Sequence, residues 1–197
     1  MPAITPLRIL IINANPDPSA ERLTAGLARA YGDGAKLAGH EIRYLDVGSV
    51  SFSFLRNAAD FAKPAVDPDI VAAQHSFRWA EHFVFVYPIW LGGIPALFKA
   101  FMEAIACGEF LVATGGGGYA KGKLPGRSAR VIVTMGMPSI LYRLIFRAHG
   151  AKAFERSILR LSGISPVRTT YLGDPRISYE RSRKWIEQVR VLGQKAL

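Results

Sequence analysis

Three short segments carry the residue types that could do chemistry, and each follows a run that reads as a β-strand. The first is Asn15-Pro16-Asp17-Pro18-Ser19, running into Arg22-Leu23-Thr24. Turn formers here lead into a helix start, where free N–H groups and the positive end of the helix dipole favour an anion. Ser19, Arg22 and Thr24 add donors, while a plain capped helix would read the same way. The second is Pro88-Ile89-Trp90-Leu91-Gly92, whose backbone and indole could line a flat aromatic ring, although Trp90 could equally be core. The third is Thr134-Met135-Gly136-Met137-Pro138, with Tyr142 one turn into the following helix.

Other chemistries are poorly supported. The spacing of Gly117, Gly122 and Lys123 imitates a phosphate-binding P-loop, but Leu124 stands where a magnesium-holding Ser or Thr is needed and Pro125 follows. The run Gly115 to Lys123 therefore reads as a mobile surface loop or lid. No G-x-G-x-x-G follows the first strand, and no G-x-S-x-G elbow occurs. His40, His75, His82 and His149 lack ligand spacing, and Cys107 is the single cysteine, so no metal site is expected. His75 and His82 read as surface or strand-edge residues. Cys107, at a helix end, reads as a buried inert thiol.

The elements that must position the three segments follow from periodicity. Leu7 to Asn13 is a short apolar strand, and Leu23, Leu27, Ala30 and Tyr31 then recur at helical spacing. Ser19 or Asp17 can cap that helix, and Gly39 ends it. Glu41 to Val47 alternates as an edge strand would. Residues 48–68 are irregular, with Phe52, Phe54, Leu55 and Phe61 as expected core anchors. A helix capped by Asp67 or Asp69 runs to Trp79, with Ile70, Ala73, Phe77 and Ala80 on its buried face.

His82 starts a strand whose Phe83 to Tyr87 is an unbroken apolar run, the mark of a strand buried on both faces. Pro88 stops its ladder, and Pro95 can open the next helix, lined by Phe98, Met102 and Ile105. Arg130 to Gly136 is another buried strand. Ser139 to His149 is helical in pattern, with Leu141, Leu144 and Ile145 on one side, and Ala151 to Leu161 continues it. Val167 to Leu172 is the last strand. Ser178 caps a final helix with Trp185, Ile186, Val189 and Leu192 facing inward. Strands alternating with helices imply a parallel sheet covered on both sides, a three-layer α/β sandwich. For one domain over residues 1–197 with five strands the expected order is 2-1-3-4-5, with a ligand at the switch between the first and third strands. There the three segments suit a flavin, its phosphate at the first loop and its ring between the second and third.

Composition is that of an ordinary globular chain: 197 residues, 50% apolar and 20% charged. No apolar run is long enough to span a bilayer, and no signal peptide is read. A lone cysteine fits a reducing, cytoplasmic setting. The charge is lopsided. Residues 1–120 hold 9 Lys/Arg and 11 Asp/Glu, a net −2, whereas residues 121–197 hold 16 and 4, a net +12. No run of five like charges occurs, so nucleic-acid binding is not expected, whereas attraction of small anions is.

The ordered set of motifs resembles the bacterial NAD(P)H dehydrogenase (quinone) branch of flavodoxin-like oxidoreductases, related to NAD(P)H:quinone oxidoreductase. It is carried by Asn15-Pro16-Asp17-Pro18, Val86-Tyr87-Pro88-Ile89-Trp90-Leu91-Gly92, Pro95-Ala96-Leu97-Phe98-Lys99, Val133-Thr134-Met135-Gly136-Met137-Pro138, Tyr142, Phe146-Arg147-Ala148-His149-Gly150, Gly163-Ile164 and Pro166-Val167-Arg168-Thr169-Thr170. The resemblance implies bound FAD, with FMN as the alternative, NAD(P)H as reductant, a quinone-like acceptor and a homodimer with sites at its interface. It maps ring contacts onto Pro88, Ile89, Trp90, Leu91, Gly92, Thr134, Met135 and Gly136, and assistance of hydride transfer onto Tyr142 and His149. The phosphate contacts fall on Asn15, Asp17, Ser19, Arg22, Leu23 and Thr24, where Arg22-Leu23-Thr24 replaces the family's Ser-Phe-Asn. An electron carrier and an ancillary subunit of a membrane transporter are the alternative roles within the same fold.

Overall fold

The computed structural model describes residues 5–114, 120–174 and 178–196. Its centre is β3 (His82–Pro88), flanked by β1 (Arg8–Asn13) on one side and β6 (Ser128–Met135) on the other. β2 (Glu41–Asp46) and β7 (Val167–Gly173) are the edges, and every pairing in the order β2-β1-β3-β6-β7 is parallel. This is the expected 2-1-3-4-5 order with β4 (Val112–Thr114) and β5 (Ala120–Gly122) set apart as a separate antiparallel hairpin.

Alternation along the strands divides the core in two. Leu10, Ile12, Phe83, Phe85, Tyr87, Val131 and Val133 face one side. There α3 (Pro68–Trp79), α4 (Ala96–Ala106) and a π-helical segment (Phe154–Arg160) close over them. Phe77, Phe85, Phe98, Phe101 and Phe154 form a continuous ring cluster, with Phe98 and Phe154 centroids 5.1 Å apart. Ile9, Ile11, Val84, Val86 and Ile132 face the other side, under α1 (Leu23–Leu37) and α7 (Tyr179–Gln194). These two helices touch backbone to backbone. A Cβ on Gly34 would lie 1.9 Å from the Arg190 carbonyl oxygen, and one on Gly193 would lie 2.0 Å from that of Tyr31.

Several local expectations are corrected. Neither Ser19 nor Asp17 caps α1. Its N-cap is Arg22, whose guanidinium has no acceptor to offer, and the Asp17 carboxylate is bonded to Ser19 N and Arg22 instead. Asp67 is the N-cap of α3, but its carboxylate accepts from Ser53 N and that of Asp69 accepts from Ser51 N. Both carboxylates thus hold the irregular segment onto the helix start. That segment contains the short α2 (Ala58–Ala62). Phe52 packs on the core as expected, but Phe54 and Phe61 are exposed. His82 is buried rather than at the surface, held by Tyr31 Oη at 3.0 Å and Ser128 Oγ at 2.7 Å.

The helix expected over 139–149 breaks into α5 (Ser139–Leu144) and α6 (His149–Ala153) at a left-handed turn. Cys107 is buried as expected, with burial raising its thiol pKa. The glycine run at 115–119 lies outside the described residues.

Candidate functional site

The three segments meet at the carboxyl edge of the sheet. The register carries Asn13 beside Val86 and Pro88 beside Thr134. Ala14 N then donates to Val86 O at 2.8 Å, and Ile89 N donates to Thr134 O at 2.8 Å. Two backbone ladders therefore continue past the strands and fix the mouth of the site.

The first loop is folded by its own polar side chains. Asn15 Oδ1 accepts from Asp17 N, and Asn15 Nδ2 donates to Thr24 Oγ1 at 3.0 Å. Asp17 accepts from Ser19 N and, at 2.6 Å, from Arg22 Nε. The Ser19 N–H and the Arg22 guanidinium together hold the Asp17 carboxyl below its usual range. Beyond this, α1 starts with no side-chain cap and no acidic residue in its first turn. Its early N–H groups keep their positive field, with Arg22 at the entrance and the Thr24 hydroxyl inside.

The second loop is a tight turn. Trp90 and Gly93 exchange both backbone hydrogen bonds at 3.0 Å, with Leu91 at φ 47° and Gly92 at φ 82° between them. Gly92 takes that conformation freely. For Leu91 it costs about 1 kcal/mol, and its side chain stands clear of the protein. A second turn of the same hand, Phe146 to His149, has Arg147 at φ 48° and Ala148 at φ 52°, closed by His149 N donating to Phe146 O.

Tyr142 locks these turns together. Its buried hydroxyl donates to Gly92 O at 3.1 Å and accepts from Ala151 N at 3.2 Å. Burial raises its pKa. Gly150 completes the lock, because a Cβ there would lie 2.0 Å from Gly92 O. Strain held by surrounding structure in this way is a mark of sites where backbone shape matters.

The third loop brings Thr134 and Met135, both buried, to an exposed Gly136, where a side chain would meet nothing within 4 Å. Gly92 and Gly93 are equally open. Open backbone over two adjacent loops, an uncapped helix start beside them and an exposed Trp90 fit a flat ring with an anionic tail.

The Flavodoxin_2 family pattern, described as a flavodoxin-like fold, matches residues 7–191. The chain belongs to this family. Its fold is shared by the NAD(P)H:quinone oxidoreductase of Methanothermobacter marburgensis. That structure has a TM-score of 0.80 at 16% identity, with 97% of each chain covered. It is also shared by an FMN-dependent NADH-azoreductase of Bacillus anthracis in complex with FMN, with a TM-score of 0.77 at 15% identity, covering 96% of this chain and 98% of that one. In sequence, the chain is similar to the ribosyldihydronicotinamide dehydrogenase-like protein traD of Penicillium crustosum. The two are 24% identical over an alignment of 156 positions that covers 66% of this chain and 58% of that protein's length.

In this Flavodoxin_2 member, Pro88 to Gly92, Thr134 to Gly136 and Tyr142 form one bonded cluster, and Asn15 to Thr24 lies beside it. His149 is exposed at the start of α6. Two contributors escaped the sequence reading. Gly150 is a small residue required by contact, and the sequence showed it only as the end of the Phe146-Arg147-Ala148-His149-Gly150 segment, with no role at the site. Asn13, last residue of β1, donates to Asp46 at 3.0 Å and leaves its own Oδ1 buried with no hydrogen-bond partner. Among the described residues no His, Cys, Asp or Glu cluster could hold a metal ion.

Proposed function

We propose that this protein is a flavin-dependent NAD(P)H oxidoreductase that delivers two electrons to a quinone or similar aromatic acceptor. The observation that carries the reading is the pairing of an uncapped α1 start, guarded by Arg22, with two open backbone turns at the same sheet edge. The names of similar proteins support it: a quinone oxidoreductase, an FMN-dependent azoreductase and a ribosyldihydronicotinamide dehydrogenase-like protein. FMN is preferred to FAD because the azoreductase of this fold holds FMN.

When bound, the flavin supplies hydride acceptance and donation. The chain's own residues do the rest. The first-turn N–H groups of α1, with Ser19, Thr24 and Arg22, would hold the phosphate. Arg22 would then exchange its Asp17 partner for it. Backbone groups of Pro88 to Gly92 and of Thr134 to Gly136 would flank the ring, with N–H groups of the two glycine turns aimed where negative charge accumulates. Trp90 would wall the acceptor slot. Tyr142 acts as a positioning residue, through Gly92 O. The exposed His149 would give the proton that the acceptor oxygen takes up.

The working unit in this reading is a cytoplasmic homodimer. A two-fold interface must be self-complementary. The groove between α4 and the π-helical segment offers that. It is about 620 Å³ under Trp90 and Ile94, and continues for about 320 Å³ toward Leu111 and Leu161. The Lys99–Glu103 pair places both signs of charge on it.

The test is anaerobic mixing of the flavin-loaded protein with NADH or NADPH, followed by menadione. The reading expects nucleotide to bleach the flavin bands and menadione to restore them. A bound flavin that neither nucleotide reduces overturns it.

A further inference from the structure

A carboxylate with no cation paired to it lies behind the first loop. Asp46 ends β2 beside Asn13, the last residue of β1. Its Oδ2 accepts from Asn13 Nδ2 at 3.0 Å and its Oδ1 from Gly48 N at 3.2 Å. The turn from Asp46 to Gly48 backs onto the loop: a Cβ on Gly48 would lie 2.7 Å from Pro16 O and 3.1 Å from Asn15 O. α1 covers the same face of the sheet. Its Gly32 rests on Tyr44 and Ile11, which are register partners. Two residues further along these strands is about 7 Å, or about four to five residues back along the helix. Asn13 and Asp46 therefore lie under the opening turns of α1, whose Thr24, Ala25 and Ala28 are buried.

Charged side chains on the surrounding elements are engaged elsewhere. Asp17 pairs with Arg22 in the first loop, Arg29 of α1 donates to Ala20 O, and Lys99 of α4 pairs with Glu103. Lys36 of α1 lies over the Tyr44 ring, and Arg43 of β2 over the Trp79 ring. Glu21 and Asp33 are exposed. Burial raises the Asp46 pKa, against the pull of its hydrogen bonds from Asn13 and Gly48. The Asn13 carboxamide is only half used, because its Oδ1 is buried without a partner. Its oxygen and nitrogen ends have nearly the same shape, so the group can turn over in place. Once turned, its oxygen faces Asp46 and needs a protonated carboxyl to meet it. Its nitrogen then donates into the buried space under the helix start.

Resting on the reading that the first loop holds a flavin phosphate, we infer that phosphate binding draws one proton from solvent onto Asp46 and turns the Asn13 carboxamide over. A phosphate dianion at the start of α1 and an ionised Asp46 beneath it repel, and protonating the carboxyl removes one of the two charges. The protonated Asp46 donates to Asn13 Oδ1, and Asn13 Nδ2 turns toward the anion. The two residues act as a positioning pair that matches the cradle to a phosphate monoester. Since the proton is held more tightly in the complex than in the free protein, affinity for the phosphate rises as pH falls through that interval.

The test is the affinity of the full chain for FMN and for riboflavin, which lacks the phosphate, at two pH values. Asp46→Asn keeps the shape and removes the charge. It should bind FMN about tenfold more tightly than the native chain at about pH 8, the gap shrinking to about threefold by about pH 5. The phosphate's own proton titrates in both proteins alike, so the comparison cancels it. Riboflavin should show no gap at either pH. Asn13→Leu should weaken FMN about tenfold at the lower pH, where the carboxamide donates to the anion, and less than about threefold at the higher. Infrared difference spectra of the native chain should gain a protonated-carboxyl band when FMN binds, and they need no variant to fold.

The inference is overturned if the Asp46→Asn gap is the same at both pH values, or if riboflavin shows it too. It is also overturned if Asp46→Asn weakens FMN at every pH, which would make Asp46 only a brace for the loop. A native chain that binds FMN with no new carboxyl band is a further contrary result. These outcomes leave the flavin site standing, whereas a chain that binds no FMN at all overturns both. None of the readouts uses NAD(P)H, so failure of the reductase reading shows separately.

Discussion

At the amino end of the sheet, His82 is buried with both ring nitrogens engaged, by Tyr31 and Ser128. Near it, Arg130 is buried against Thr170, and His40 Nδ1 accepts from Leu7 N. At the carboxyl end the pattern reverses. Polar side chains are spent on shaping backbone, as Tyr142 is on Gly92, while Leu91, Leu144, Ile145 and half of Trp90 face solvent. One end ties its buried polar side chains by hydrogen bonds, with His40 Nε2 alone of these left without a partner, and is structural. The other exposes apolar groups without partners and keeps two left-handed turns under strain, as a surface waiting for ligands does.

The sharpest way to break this contrast is at Gly150. Gly150→Ala places a methyl where Gly92 O now lies and should displace the Trp90 turn. Flavin affinity should drop by more than about tenfold, while stability falls by about 1–3 kcal/mol. Flavin titration and thermal denaturation separate the two. If affinity and stability fall only in proportion to each other, the turn has no special role.

The amino end should reveal itself through acid. Burial, helped by Arg130, His40 and Arg168, lowers the His82 pKa from 6.5 to about 3. The folded state therefore prefers neutral His82, whereas the unfolded chain takes up a proton near the ordinary value. Its contribution is whole above pH 6.5 and is lost as pH falls toward 3. The slope is roughly 1.4 kcal/mol per pH unit for one proton. Urea unfolding across that range should show it, and His82→Gln should flatten it. An unchanged slope in the variant would assign the acid sensitivity elsewhere.

Tyr142→Phe should cost about 1–2 kcal/mol of stability through the two lost hydrogen bonds and weaken flavin binding a few-fold. The rate per bound flavin should remain unchanged, because the hydroxyl acts through Gly92. A large fall in that rate with affinity intact would instead make Tyr142 a catalytic residue.

The smallest effect is expected at Asp17. Asp17→Asn releases Arg22, so FMN should bind a few-fold more tightly at low salt. The gain should fade at high salt, since the pair is exposed. Weaker binding would mean that Asp17 shapes the loop more than it competes for Arg22.

The strand order was legible because each central strand is a continuous apolar run and the runs alternate with helical periods. The same logic located the three loops, since strand ends are marked by Pro88, Gly136 and the Asn15 turn. The β4–β5 hairpin was not legible, being two three-residue strands with little apolar pattern. His82 was misread because one polar residue at a strand start says nothing about what lies across the sheet, and its partners come from positions 51 residues before and 46 after it. Phe54 and Phe61 were misread because aromatic type predicts burial only on average. The left-handed Leu91 and Ala148 were invisible for a stricter reason. Neither residue type favours that conformation, and contacts from Tyr142 and Gly150 surround the turns that impose it.

The central claim is that the carboxyl edge is a flavin site. The most direct test is gel filtration of the chain after incubation with FMN, read as flavin absorbance per chain, beside Gly150→Ala and Arg22→Ala. The account predicts one FMN co-eluting with each wild-type chain and a marked loss in both variants. Wild-type chain that elutes colourless after incubation with FMN, and again with FAD, would contradict it.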